Sequence, residues 1–188
     1  MNKTTKVLLM YSLFSFFIWI IPFSLRILFS DLFQLDQTSF NGGIETKVIS
    51  SITDKLYNGH KWSAFYLIFY NNLKVCLINV LGGVFLGVGT FINLFVNGLY
   101  TADVLTTVNN NGTSWILIFN NTIKHSFEMI GIWLSGGLGF LFTKSLFNLM
   151  FKNEYPSRKF YEISIKTFLL IFIIIFMAAY IECFMSIK

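Results

Sequence analysis

The chain has 188 residues, of which 55% are hydrophobic and 12% charged, with a net charge of +5. So few charges, gathered between long apolar runs, cannot coat a soluble domain of this size. No basic face of the kind that holds nucleic acid survives outside short loops, which excludes a nucleic-acid partner.

Met1–Lys6 is basic, and residues 7–29 form the first apolar run. At about 23 residues the run is too long for the core of a signal peptide. No small-residue cleavage site follows it, so a retained span is predicted. Pro22 is expected to kink it, and Arg26 to snorkel from its far end. Residues 30–60 are polar, with Asp31, Asp36, Glu45 and Asp54 against Lys47 and Lys55, and with turns at Asn41-Gly42-Gly43 and Asn58-Gly59. A short amphipathic helix is expected over residues 45–56.

The second span is predicted over residues 61–80, with Trp62, Tyr66 and Tyr70 as interfacial aromatics. Asn71, Asn72 and Lys74 interrupt it. The glycine-rich run from Gly82 to Gly89 predicts a third span over residues 83–104, with Gly83 and Gly87 as a GxxxG packing pair. A phosphate cradle would need a preceding strand and an aqueous setting, and neither is present. The apolar insert Trp115–Phe119 is too short to cross, so residues 113–121 read as an interfacial or re-entrant segment.

The fourth span is predicted over residues 124–151, with Gly131, Ser135 and Gly139 as a close-packing stripe. The basic loop Lys152–Lys159 leads to the fifth, over residues 160–186. Cys76 and Cys183 lie in apolar runs and read as small core residues. The fold class is therefore all-α: one integral membrane domain over residues 1–188, a bundle of five spanning helices. The basic amino terminus and basic loop 152–159 belong in the cytoplasm. The acidic segment 30–60 and the carboxyl terminus then lie outside.

Chemistry in such a chain can come only from its few buried polar groups, because ionisable side chains inside lipid are costly. His125 and Glu128 share one helix face at three-residue spacing. At 1.5 Å per residue, the predicted topology places Asn71, Asn72, Asn97, His125, Glu128 and Glu182 in one band of the outer leaflet. Three readings follow. In the first, the groups are hydrogen-bonded architecture. In the second, His125, Glu128 and Glu182 are catalytic, activating water alone or as ligands of Zn²⁺, with Asn71, Asn72 and Asn97 binding substrate. In the third, the carboxylates relay protons. If spans two to five form a compact bundle, Glu182 is expected to come within a few ångströms of His125 or Glu128, directly or through one water.

Several short motifs occur in order: Asn71-Asn72-Leu73-Lys74-Val75, Gly82-Gly83 through Gly87-Val88-Gly89-Thr90, Asn97-Gly98, His125-x-x-Glu128, Gly136-Gly137-x-Gly139 and Ile181-Glu182-Cys183-Phe184. Over residues 60–188 the chain resembles the stage II sporulation protein M family of polytopic membrane proteins. It carries Lys124 and Ser126 where that family usually has Pro and Gly around the histidine. The resemblance implies one of two settings. One is a membrane complex that remodels cell wall during spore engulfment. The other is a bacteriocin cluster, notably of circular bacteriocins, where such proteins work with an ATP-binding cassette protein in maturation, export or self-protection.

The small extramembrane mass favours the second setting. The expected function is a membrane subunit that handles an apolar peptide alongside other membrane subunits. An intramembrane hydrolase and a sporulation-type scaffold are the alternatives. The chain holds no Walker A sequence, so nucleotide hydrolysis falls to the ATP-binding cassette partner.

Overall fold

A computed structural model of the chain describes residues 3–29, 51–52, 54–55, 58–110, 112–116 and 126–185. Among these are five helices long and apolar enough to cross a membrane. They are α1 (Lys3–Leu28), α2 (Lys61–Gly82), α3 (Val88–Asn110), α4 (Ser126–Lys152) and α5 (Arg158–Tyr180). A π-helical turn, Ile181–Met185, continues α5. The shortest, α2, has 22 residues and is about 33 Å long, enough for a hydrocarbon core of about 30 Å. The described residues contain no strand. This is the expected all-α membrane bundle.

Local chemistry sets the helix ends. Ser157 precedes α5 in an extended conformation, and its Oγ accepts the Phe160 N–H at 3.3 Å. That satisfies one of the amide donors left over at a helix start. Pro22 lies inside α1, where its ring packs beside Gly98 of α3.

The third span departs from expectation. α2 runs on to Gly82, residues 83–87 turn the chain, and α3 begins only at Val88. The turn is carried by bonds from Gly83 N to Val80 O, Val84 N to Leu81 O and Phe85 N to Gly82 O. Leu86 and Gly87 have φ values of 53° and 81°, in the left-handed region. Gly83 and Gly87 are therefore not a GxxxG pair on one helix face. Gly87 permits the reversal, and Gly83 sits in the turn against Gly139. An apolar run that holds a tight turn looks like continuous helix to a hydropathy reading.

α4 is the centre of the bundle and touches all four other helices. It runs parallel to α2: Asn72 pairs with Glu128, and Asn79 with Ser135, each 56 residues apart, and Gly83 meets Gly139 at the same offset. α1 runs antiparallel to α4, with Ser12 against Gly137 and Ser15 against Gly136. α5 is also antiparallel, with Ile175 against Gly131 and Phe160 edge-on to Phe142. Of the predicted stripe, Ser135 and Gly139 face α2 while Gly131 faces α5. Steps of four residues advance about 40° each, so the stripe winds from one neighbour to the next.

Leu94, Leu138, Ile171 and Ile175 are fully buried between the helices, as are Cys76 and Cys183, both free thiols. The outer surface is apolar, as lipid contact requires. The helix expected over 45–56 and the insert at 113–121 fall largely outside the described residues, and His125 falls wholly outside them.

Candidate functional site

Glu128 lies in the first turn of α4, where the positive end of the helix dipole favours a carboxylate. It is half-buried, and its Oε2 accepts a hydrogen bond from Asn72 Nδ2 at 2.5 Å. Asn72 lies eleven residues into α2, about 16 Å along that helix. The carboxylate at the start of α4 therefore meets its amide partner at the middle of α2.

Glu182 occupies the π-helical turn after α5 and is also half-buried. Its neighbour Cys183 is buried in a cluster with Ala64, Phe65 and Ile68 of α2. Because Gly131 meets Ile175, Glu182 and Glu128 stand at the same end of the bundle, with an axial offset of about 6 Å. Among the described residues, no group of three His, Cys, Asp or Glu is arranged to hold a metal ion.

Below Glu128 a second polar layer joins three helices. Asn79 of α2 is fully buried. Its Nδ2 donates to Ser135 Oγ at 2.9 Å and to Ile132 O at 3.3 Å, both on α4. Its Oδ1 accepts from Asn93 Nδ2 of α3 at 2.7 Å, and its backbone oxygen accepts from Thr90 Oγ1 at 2.7 Å. Asn93 Nδ2 also reaches Val75 O at 3.1 Å. Asn97 donates to Asn93 O at 2.7 Å. At the far end Thr143 Oγ1 donates to Gly83 O at 2.9 Å. From Glu128 to Thr143 the polar column is about 22 Å long on α4, and so spans more than half of that helix.

This layer is architecture. Each Asn79 side-chain function has a protein partner, which is what a buried amide in a dry interior needs. Asn97 is bound into the same chain of amides. Asn71 is placed elsewhere: it is exposed on the outward side of α2. The three asparagines read from the sequence as substrate-binding thus sit in three different surroundings.

A third polar feature ties α1 to α3. Arg26 Nε donates to Asp103 Oδ1 at 2.5 Å, with side-chain exposures of 14% and 13%. Arg26 does not snorkel out of the bundle as expected. It pairs inward, because Asp103 offers a carboxylate in a setting where two separate charges would be costly.

The sequence matches the stage II sporulation protein M family over residues 7–187. The chain belongs to that family. The match takes in α1 as well, so the family's extent is wider than the motifs over residues 60–188 implied. No curated protein and no solved structure matches the chain.

In this stage II sporulation protein M family member, the residues that sequence reasoning passed over are Asn79, Asn93, Thr90 and Asp103. A signal existed for most of them. Thr90, Asn93, Asn97 and Thr101 recur at spacings of three and four, which is one face of a helix. Asn79 follows Asn72 by seven, again on one face. Asp103 gave no such pattern, and only the packing of α1 on α3 reveals its partner.

Proposed function

We propose that this family member is a membrane subunit, without ATPase activity of its own, of a complex that handles an apolar peptide. Bacteriocin maturation, export or immunity is the setting, and an ATP-binding cassette partner supplies the hydrolysis. The observation that carries this reading is Glu128, held against the middle of α2 by Asn72. The Asn79 layer also locks α2, α3 and α4 together, so the Asn72–Glu128 bond is not the sole tie between α2 and α4. A carboxylate costs more to bury than an amide. In a site shielded from water it can accept amide N–H groups from a peptide segment. The family membership and the lack of a Walker A sequence agree with a division of labour between this chain and an ATPase.

The test is to find an ATP-binding cassette protein and an apolar peptide precursor encoded beside the chain and to reconstitute all three in liposomes. Peptide should stimulate ATP hydrolysis only when this chain is present, and Glu128→Gln should lose that stimulation while the complex still assembles. Cleavage of the peptide by the chain alone would instead establish a hydrolase. Equal loss of assembly in Glu128→Gln and Glu182→Gln would establish a scaffold. The amino terminus and loop 152–159 lie on the ATPase side in this proposal, following their positive charge.

A further inference from the structure

The outward face of α2 carries Lys74 and Asn71, both exposed. Lys74 follows Asn72 by two residues, about 200° round the helix, and so points away from the α4 seam. It is exposed, and among the described residues it makes no ion pair. Tyr66, Tyr70, Ile78 and Leu81 share this stripe and are 64%, 68%, 40% and 60% exposed. Asn71 flanks it and is exposed too.

Lys74 lies thirteen residues into α2, about 20 Å from its start and about 12 Å from its end at Gly82. Side chains on a helix lean toward its amino terminus, which here is the more distant end. Lys74 therefore leans toward an end about 20 Å away, beyond the reach of its side chain, and the Gly82 end of α2 meets Gly139 about 20 Å short of the end of α4. Charges within a span almost always face the bundle interior and pair with an opposite charge. Arg26 of this chain obeys that rule and Lys74 does not.

We propose that the outward stripe of α2 docks a membrane-spanning helix of a different subunit, and that this helix places an Asp or Glu carboxylate against Lys74. Charge complementarity selects the occupant: lipid tails cannot neutralise an ammonium at that depth. A second copy of this chain packed about a two-fold axis through the stripe would set Lys74 near Lys74, which is repulsive. The stripe runs about 22 Å along α2, with the flat tyrosine rings as packing surface and Asn71 as a flanking hydrogen-bonding group. This inference rests on the chain being a complex subunit, and not on the nature of any peptide.

The experiment uses the full-length chain in its native membrane, with a photo-crosslinking phenylalanine analogue at Tyr70 and a control at Leu169. Leu169 is exposed on a different helix, α5. Tyr70 should crosslink to one other membrane protein and Leu169 should not. Lys74→Arg should keep the partner and Lys74→Gln should lower its yield. Lys74→Glu should weaken the complex about thirtyfold or more, the effect of breaking one side of a desolvated charge pair. Changing the partner's intramembrane Asp or Glu to Lys should restore the complex with Lys74→Glu. Wild-type elution in detergent confirms that the variants fold. Crosslinks to lipid or to a second copy only, or a partner retained equally by Lys74→Glu, overturn the proposal. Assembly is read here without peptide, so failure of peptide stimulation with the crosslink intact would fall on the functional reading alone.

Discussion

Asn79 sets how α2, α3 and α4 meet, because one amide answers three helices at once. Replacing it with Leu removes the acceptor of Asn93 and the donor to Ser135, leaving both partners under-satisfied in a dry interior. The expected loss is about 1–3 kcal/mol, measured by denaturant unfolding in micelles. Asn97→Ala should cost less, because Asn97 bonds within its own helix. Arg26 and Asp103 form a pair of another kind. Asp103→Asn leaves a buried guanidinium without its counter-charge, and about 3–5 kcal/mol should be lost. Adding Arg26→Gln to that variant should recover part of the loss, since the uncompensated charge is then gone. A double variant as unstable as the sum of the singles would show that the pair is not coupled in the folded bundle.

Helix pairing depends on the small residues. A Cβ on Gly83 would lie 2.1 Å from the Gly139 carbonyl oxygen, and one on Gly139 would lie 2.3 Å from the Asn79 carbonyl oxygen. Backbone cannot step aside as a side chain can, so Gly83→Ala and Gly139→Ala should each cost about 1–3 kcal/mol through overpacking. Gly131→Ala should be milder, because its nearest obstacle is the movable Cδ1 of Ile175. The comparison is made on unfolding midpoints of the three variants. Equal costs would mean that the bundle relaxes at the α2–α4 seam. The stripe at Gly131, Ser135 and Gly139 was readable from spacing alone. The Gly83–Gly87 pair was misread, because the same four-residue spacing occurs in a turn, and hydropathy does not distinguish a turn of Val84, Phe85 and Leu86 from helix.

For the whole molecule, topology is the feature that both proposals use. The two native cysteines are buried, so cysteine labelling starts from a low background. A membrane-impermeant maleimide on intact cells should label Ser114→Cys and leave Tyr155→Cys untouched until the cells are opened. Tyr155 is 84% exposed, so protection there would reflect sidedness rather than packing. The reverse pattern would invert the bundle and put the ATPase on the wrong face for the proposed function.

The five-span class follows from the sequence by itself, because the length of an apolar run against the thickness of lipid is a local quantity. The cysteines as core residues, the glycine and serine stripe on α4 and the polar nature of Glu128 were legible for the same reason. Partners were not. That Asn72 meets Glu128, that Asn79 meets Ser135 and Asn93, and that Arg26 meets Asp103 depends on the register between helices. That register is fixed by glycine contacts such as Gly83 with Gly139, between residues far apart in the chain. The face on which Asn71 and Lys74 lie was decided the same way. Periodicity places residues on a common side of a helix, and only packing chooses which side turns inward.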